Sequence, residues 1–257
     1  RSLKADRKAD KAREQTAEAR HRLFVIDFRG DIKATASAAL RQAITAILLE
    51  AKEGDGVLIR LENAGGLVTE HGLASSQLTR LRARGIPLTV AVDKVAASGG
   101  YLMAVVADHI IAAPFAILGS IGVVAQLPNF HRVLERHGVD YELHTAGDYK
   151  RTLTLFGENT EAGRAKPREQ LEETHGLFKD FLLEYRPHLD LAQVATGEYW
   201  HGRQALALGL IDAIKTSDDY LLEVAATTDL YQVSFSAYKK PLERLLSSLT
   251  QAAQRLF

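Results

Sequence analysis

Three short apolar runs alternate with two amphipathic segments near the start of the sequence, and this order restricts the fold more than any other feature. The runs begin at Leu23 (L-F-V-I-D-F), at Val57–Leu61 and at Pro87–Val92, and their length and β-branched content favour buried strands. Helical periodicity extends between them over Ile32–Lys52 and Leu73–Arg84. The order strand, helix, strand, helix, strand predicts an α/β fold with a parallel sheet and right-handed crossovers.

The composition narrows the range of functions. At 257 residues, of which 46% are hydrophobic and 25% charged, the chain is long enough for one large domain or for one domain with appendages. Lys and Arg together number 32, and Asp and Glu together also number 32. The chain therefore has no excess of positive charge of the kind that proteins use to bind nucleic acid. Cysteine is absent, so disulfides, thiolate metal sites and cysteine nucleophiles are excluded. No uninterrupted apolar run reaches the length of a membrane span.

Both ends of the sequence differ from its middle, which predicts three parts. Residues 1–22 contain eight Lys or Arg and four Asp or Glu, and we expect them to form a charged spacer. Residues 23–216 carry the alternating strands and helices of the expected globular domain. Residues 217–257 return to helical spacing, with leucines three or four positions apart, and are predicted to form a helical extension.

A stretch of small residues around Ser98 is the first candidate for chemistry. It follows the run Pro87–Val92 and precedes the short helical segment Tyr101–Ala107, so Ser98 is predicted to lie on a sharp strand-to-helix turn. Gly99 and Gly100 permit close approach of a ligand, and the start of a helix favours a developing negative charge. The nucleophile elbow of hydrolases places its serine on the same kind of strand-to-helix turn. The residues alone leave open the alternative that A-S-G-G only packs a helix tightly against a sheet.

A serine nucleophile needs a base, and the sequence offers histidine or lysine. Nine histidines are present, but none lies in a diagnostic motif: His71 falls in a predicted loop and His144 in a predicted strand, Tyr141–Thr145. A lysine acts as a base when burial leaves its amine neutral near physiological pH. Lys150 follows a glycine turn after that strand, with apolar residues just beyond it. The pattern of residues leaves both types of base open.

Four segments carry a more specific signal when they are taken together. They read K-V-A-A-S-G-G-Y at 94–101, G-S-I-G-V at 119–123, G-D-Y-K-R at 147–151 and H-G-R-Q-A-L-A-L-G-L-I-D at 201–212. On these motifs the sequence resembles the SppA/SohB family of membrane-associated bacterial serine peptidases, of signal peptide peptidase type, and most nearly its SohB branch. The resemblance covers most of residues 23–217. It implies a ClpP/crotonase-like α/β fold, with repeated β-β-α and βα units around a parallel sheet.

The resemblance also implies a Ser-Lys dyad that hydrolyses peptide bonds. Ser98 falls on the position of the family's nucleophile, Lys150 on that of its general base, and Ser120 on that of the hydroxyl that orients the base amine. These roles suit the chemistry, because a neutral amine takes the serine proton during attack and returns it to the leaving amine. For Ser120, the residues alone leave open a turn hydroxyl that bonds only to local backbone.

The oxyanion hole is expected from backbone amides at Gly65, Gly66 and Gly99. Preorganised donors of this kind each contribute about 3 kcal/mol to the transition state. The sequence departs from the family at this point, since the usual S-P-G-G is Asn63-Ala64 followed by the two glycines. The turn therefore lacks a rigid proline, and the consequence for activity is open.

The resemblance also implies the cofactors, substrate, assembly and location of the protein. No metal or cofactor is expected, and neither is nucleic acid; the substrate is expected to be a membrane-derived peptide or an unfolded protein. A single copy of the catalytic segment implies a ring-like homo-oligomer, in which Lys150 acts within its own chain or on a neighbour. The expected location is the bacterial inner membrane, through an upstream segment outside this chain. A periplasmic catalytic domain fits the family, although positive charge in residues 1–22 favours the cytoplasmic side.

Two other functions share this scaffold. A crotonase-type acyl-CoA enzyme would use acidic residues, and Glu62 and Glu70 border the glycine turn without forming a convincing acid/base pair by position. A membrane-tethered scaffold that has lost catalysis would assemble without cleaving anything. The quoted motifs favour the peptidase over both.

Overall fold

The computed structural model describes residues 20–235, and every structural statement below concerns that range. The order of elements within it follows the alternation of the sequence. The strands are β1 (Arg22–Arg29), β2 (Gly56–Glu62), β3 (Leu88–Val92), β4 (Val95–Ala97), β5 (His109–Ala112), β6 (Ile117–Gly119), β7 (Tyr199–His201), β8 (Ala213–Ile214) and β9 (Asp229–Gln232). The helices are α1 (Ser37–Glu50), α2 (Val68–Arg82), α3 (Gly99–Ala104), α4 (His131–Arg136), α5 (Glu161–Tyr185), α6 (Leu191–Val194), α7 (Gly202–Ala207) and α8 (Ser217–Val224).

Six strands form the main sheet, in the order β8-β5-β3-β2-β1-β9, and every pair in it is parallel. The central strands are apolar along their length because both faces are covered, and Leu58 and Ile59 of β2 are fully buried, one pointing to each face. The larger core cluster lies between this sheet and helices α1, α2 and α3. The predicted α/β fold with a parallel sheet is therefore confirmed.

Three further strands form a small sheet in the order β4-β6-β7. The pair β4 and β6 is parallel, with Ala97 opposite Gly119, whereas β7 is antiparallel to β6. The β4 strand follows β3 after a two-residue bend, and a single bridge from Asn63 to Ala96 links it to the end of β2. This sheet places the ends of β4 and β6 side by side.

Two of the sequence predictions for local structure were wrong. Helix α2 begins at Val68, five positions before the predicted start at Leu73, so His71 lies in a helix and is fully buried. Its first turn contains threonine, glutamate and glycine, which resemble a loop in composition. Residues 141–145 form no strand, because all five are exposed and no neighbouring strand supplies hydrogen bonds to them in the described part of the chain.

The predicted helical extension also needs a correction. Helix α8 lies within it as expected, but β9 follows and pairs in parallel with β1, so residues 229–232 belong to the main sheet. The remainder of that segment, from residue 236, lies outside the described residues, as does most of the charged spacer, residues 1–19. No helix within residues 20–235 combines the length and the apolar character that crossing a membrane requires.

Candidate active site

Ser98 occupies the sharp turn between β4 and α3. Its backbone has φ 51° and ψ −121°, a left-handed conformation that residues with a side chain rarely adopt. The turn is held by the Ser98 amide, which donates to the carbonyl of Gly119 at 2.7 Å. A strained serine at a strand-to-helix turn is the geometry of a nucleophile elbow, so the predicted placement of Ser98 agrees with the structure.

Ser120 repeats this geometry on the neighbouring strand. It follows β6, has φ 51°, and its amide donates to the carbonyl of Glu198 at 2.6 Å. Because β4 and β6 are paired, the two serines lie at adjacent strand ends and both line one cavity of about 390 Å³, the two-serine cavity. The structure therefore brings Ser98 and Ser120 together.

A second cavity of about 300 Å³, the apolar cavity, also has Ser98 in its wall. Its polar surface is small, and apolar side chains from α2, α3, the segment after β6 and α5 supply most of the lining. An extended peptide carbonyl at Ser98 can therefore place a neighbouring apolar side chain in this space. The apolar residues concerned are Val68, Leu102, Val123, Leu177, Phe178 and Phe181.

The glycine turn after β2 lies directly against Ser98. Gly65 has φ 91°, and a Cβ placed there would lie 2.8 Å from the carbonyl oxygen of Ala97, the amide nitrogen of Gly99 and the Cβ of Ser98. The Gly65 amide donates to Asn63 Oδ1 at 2.9 Å, which removes it from the three amides predicted for the oxyanion hole. Within residues 20–235, the amides of Gly66 and Gly99 have no acceptor. These two remain available to a bound oxyanion.

Lys150 is the predicted site residue that the structure leaves apart. It follows the turn at Gly147 outside any helix or strand, its side chain is exposed, and it lines neither the two-serine cavity nor the apolar cavity. All residues from 141 to 150 are exposed as well. Within one chain, the described residues thus hold Ser98, Ser120 and the glycines in one place and Lys150 in another.

Two histidines that the motifs did not single out lie at the cavities. His71 is fully buried on α2 in the wall of the apolar cavity. His175, on α5, lines the two-serine cavity, and its Nε2 is buried without a hydrogen-bond partner among the described residues. Helical spacing to Phe178 and Leu182 could have placed His175 on the inner face of α5, although it could not have shown which cavity that face meets.

A polar contact network behind α3 fixes the helix that follows Ser98. The hydroxyl of Tyr101 donates to the carbonyl of Leu210 at 2.7 Å, and burial raises the pKa of Tyr101 far above its usual range. The guanidinium of Arg186 donates to both carboxylate oxygens of Asp212, at 2.6 and 2.7 Å. Burial acts to raise the pKa of Asp212, but the bonds from Arg186 and from the Ile110 amide outweigh it and lower the pKa. The network therefore contains an ionised carboxylate at neutral pH.

Comparison with known proteins gives one consistent family. Residues 80–231 match peptidase family S49, and residues 1–78 match the family's N-terminal part. The chain is 55% identical to the "Probable protease SohB" of Haemophilus influenzae, over 86% of this chain and 63% of that protein. It is 54% identical to the protein of the same name from Buchnera aphidicola subsp. Acyrthosiphon pisum, over 89% of this chain and 68% of that protein. The chain thus spans about two thirds of the length of these curated relatives.

Proposed function

Because the chain belongs to peptidase family S49, we propose that it is a serine endopeptidase in which Ser98 is the nucleophile and Lys150 the general base. The observation that carries this proposal is the strained turn at Ser98, with two unpaired amides beside it and an apolar cavity adjoining it. A serine that only packed a helix against a sheet would need neither the strain nor the open cavity.

The proposed mechanism uses the chemistry of these groups. Ser98 Oγ attacks the peptide carbonyl carbon while its proton passes to the neutral amine of Lys150. The carbonyl oxygen gains the negative charge and accepts hydrogen bonds from the amides of Gly66 and Gly99. The amine then gives the proton to the leaving nitrogen, so that the peptide bond breaks and an acyl-serine remains. Water attacks this ester by the same proton transfers in reverse, and Ser98 is regenerated.

The apolar cavity supports a preference for substrates with an apolar side chain near the cleaved bond. Cavities of this size hold one side chain of the size of leucine or phenylalanine, and a charged side chain would lose its hydration there. Membrane-derived peptides, signal peptides among them, and unfolded proteins offer such residues in an extended conformation. These are the substrates that we propose.

We place Lys150 of one chain in the site of a neighbouring copy. A lysine acts as a base when burial removes its amine from water, and the Lys150 side chain is exposed within one chain. Ser120 lies beside Ser98 and offers a hydroxyl to an incoming amine. The segment that carries Lys150 also exposes apolar side chains, which a second copy would cover; they include Val124, Val133, Val139 and Tyr149. The proposed assembly is a ring-like homo-oligomer whose sites are complete only between copies.

The two catalytic roles are tested by cleavage of an unfolded protein across a range of pH. We expect Ser98→Ala and Lys150→Ala each to abolish cleavage, with native activity rising through one ionisation toward alkaline pH. Cleavage that persists in Ser98→Ala would remove the serine mechanism, whereas acyl-CoA binding that is unchanged in Ser98→Ala would favour the acyl-CoA alternative. A native chain that assembles and cleaves nothing at any pH would favour the scaffold.

Subunit exchange tests where Lys150 acts. Ser98→Ala and Lys150→Ala chains are mixed in equal amounts, dissociated and reassembled. If Lys150 serves the neighbour, about a quarter of the sites combine an intact Ser98 with an intact lysine, and activity returns to about that fraction. A mixture that stays inactive would place Lys150 in its own chain's site.

His175 provides the test of a histidine base. It is the histidine in the two-serine cavity, so His175→Gln is the variant that separates the two types of base. We expect His175→Gln to keep the alkaline pH profile, with His144→Gln, an exposed histidine, as the matched control. Loss of activity in His175→Gln together with retention in Lys150→Ala would transfer the role of base to His175.

We further propose attachment to the bacterial inner membrane through a segment upstream of this chain, with the catalytic domain in the periplasm. The family resemblance supports this location. Fusion of a reporter that is active only in the cytoplasm to the catalytic domain of the full-length protein tests the orientation. We expect no reporter activity; a strong signal would place the domain on the cytoplasmic side.

A further inference from the structure

Asn63 connects the nucleophile's strand to the glycine turn. Its side chain is only 1% exposed, and its backbone donates to Val95 and accepts from Ala97, at 2.9 and 3.0 Å. Its Oδ1 accepts the Gly65 amide at 2.9 Å, while its Nδ2 lies 3.3 Å from the sulfur of Met103. One buried residue therefore holds both the strand that leads to Ser98 and the turn that carries Gly66.

His71 extends this connection to the other side of the expected oxyanion hole. Its Nε2 lies 3.2 Å from Asn63 Oδ1, and its Nδ1 lies 3.0 Å from the carbonyl oxygen of Leu67. The ring also lies directly under Gly99, because a Cβ at Gly99 would be 2.5 Å from the His71 Cγ. Asn63 and His71 thus link the Gly65–Gly66 turn to Gly99.

The hydrogen-bond pattern shows how the His71 ring contacts Asn63. Both of its nitrogens face oxygen atoms that can only accept, since the Gly65 amide and the Met103 sulfur fix the orientation of the Asn63 amide. In the tautomer that carries a proton on Nε2, the ring donates to Asn63 Oδ1. The pair is therefore joined by a specific polar contact as well as by packing.

We propose that Asn63 and His71 act as one positioning unit that sets the separation of the Gly66 and Gly99 amides in the oxyanion hole. This inference rests on the proposed function. In the related motif S-P-G-G a proline stiffens the turn, and here the buried side chain of Asn63, held by His71, restrains the same turn. Neither residue touches the reacting atoms; both act through the two glycine amides. Misplacement of such donors by about 1 Å costs about 100-fold in rate.

Kinetics of single and double variants test the unit. We expect Asn63→Ala and His71→Leu each to lower kcat by about 10- to 100-fold with KM nearly unchanged. The double variant should be no worse than the poorer single variant, because either change already disconnects the pair. His71→Gln keeps a donor for Asn63 and should recover part of the loss seen in His71→Leu. Gln77→Ala, a buried polar residue of the same helix, is the matched control.

A peptide aldehyde separates positioning from general stability. Its adduct with Ser98 places a negative oxygen in the oxyanion hole, whereas the corresponding product peptide does not. We expect each variant to weaken aldehyde binding by the factor lost in kcat/KM, and Asn63→Ala, which lies outside the apolar cavity, to leave product binding unchanged. Unchanged aldehyde affinity, losses confined to KM, or losses that multiply in the double variant would each overturn the inference while leaving the dyad intact. A native chain that neither cleaves peptides nor binds the aldehyde would overturn the proposed function, and this inference with it.

Discussion

At the scale of single residues, the closeness of the glycine turn to Ser98 gives a direct prediction. Gly65→Ala would place a Cβ 2.8 Å from three atoms of the nucleophile turn at a φ of 91°, so either the turn or Ser98 must move. We expect the variant to lose hydrolysis almost completely and to unfold at a lower temperature. Gly176→Ala is the control, because a Cβ there meets no atom within 4 Å and lies inside α5. That change should raise stability by about 0.5–1 kcal/mol and leave activity unchanged; similar behaviour of the two variants would contradict the argument.

The same residues mark how far the sequence could predict the site. Ser98 was placed correctly on a strand-to-helix turn because small residues and glycines follow an apolar run there, whereas the residues alone gave Ser120 no definite place. Asn63 and His71 were not recognised as a pair, since their contact depends on where α2 begins and on the packing of Gly99 against its ring. Lys150 shows a different limit, because its motif locates it in the chain but the described residues of one copy do not cover it.

At the scale of elements, the Arg186–Asp212 pair ties the end of α5 to β5 and to the segment before β8. Arg186 is almost fully buried, and Asp212 also accepts the amide of Ile110 at 2.7 Å. Asp212→Asn leaves a buried guanidinium without its anion, and we expect a loss of about 3 kcal/mol in the free energy of unfolding at pH 7. Chemical denaturation of both proteins measures this difference.

The pH dependence of that difference has a definite sign. The pKa of Asp212 is lowered in the folded protein, so its contribution to stability is present above the unfolded value and is lost as the pH falls through the folded value. The difference in the free energy of unfolding between the native protein and Asp212→Asn should therefore become smaller below about pH 4. A difference that stays constant from pH 7 to pH 3 would show that the ionised carboxylate contributes nothing.

Elements also differ in how well the sequence predicts them. Strands β1, β2 and β3 were predicted to within one or two residues, because burial on both faces gives continuous apolar runs. β9 was missed because only one neighbour, β1, binds it, and its residues D-L-Y-Q are mostly exposed. A strand at a sheet edge leaves a weak pattern in the sequence, and its position is decided by tertiary contacts.

At the scale of the whole molecule, the exposed apolar side chains around Lys150 predict that assembly and activity rise together. Val133, on α4, is 50% exposed, and Val133→Glu would place a charge in the proposed contact between copies. We expect this variant to sediment as a smaller species and to lose activity to the same extent. Leu222→Glu, at a residue 79% exposed on α8, is the control and should change neither. Full activity of a monomeric Val133→Glu would contradict a site shared between copies.

The two left-handed serines have a practical consequence for the choice of an inactive variant. Ser98→Ala removes the proposed nucleophile but keeps a Cβ at a φ of 51°, so the strained backbone persists without its hydroxyl. Glycine adopts this conformation freely, and we expect Ser98→Gly to be about 1 kcal/mol more stable than Ser98→Ala, as thermal unfolding of the two would show. At the ends of β4 and β6 the backbone thus has a conformation that suits glycine better than serine. Of the two inactive variants, Ser98→Gly is therefore the more stable one for holding an uncleaved peptide.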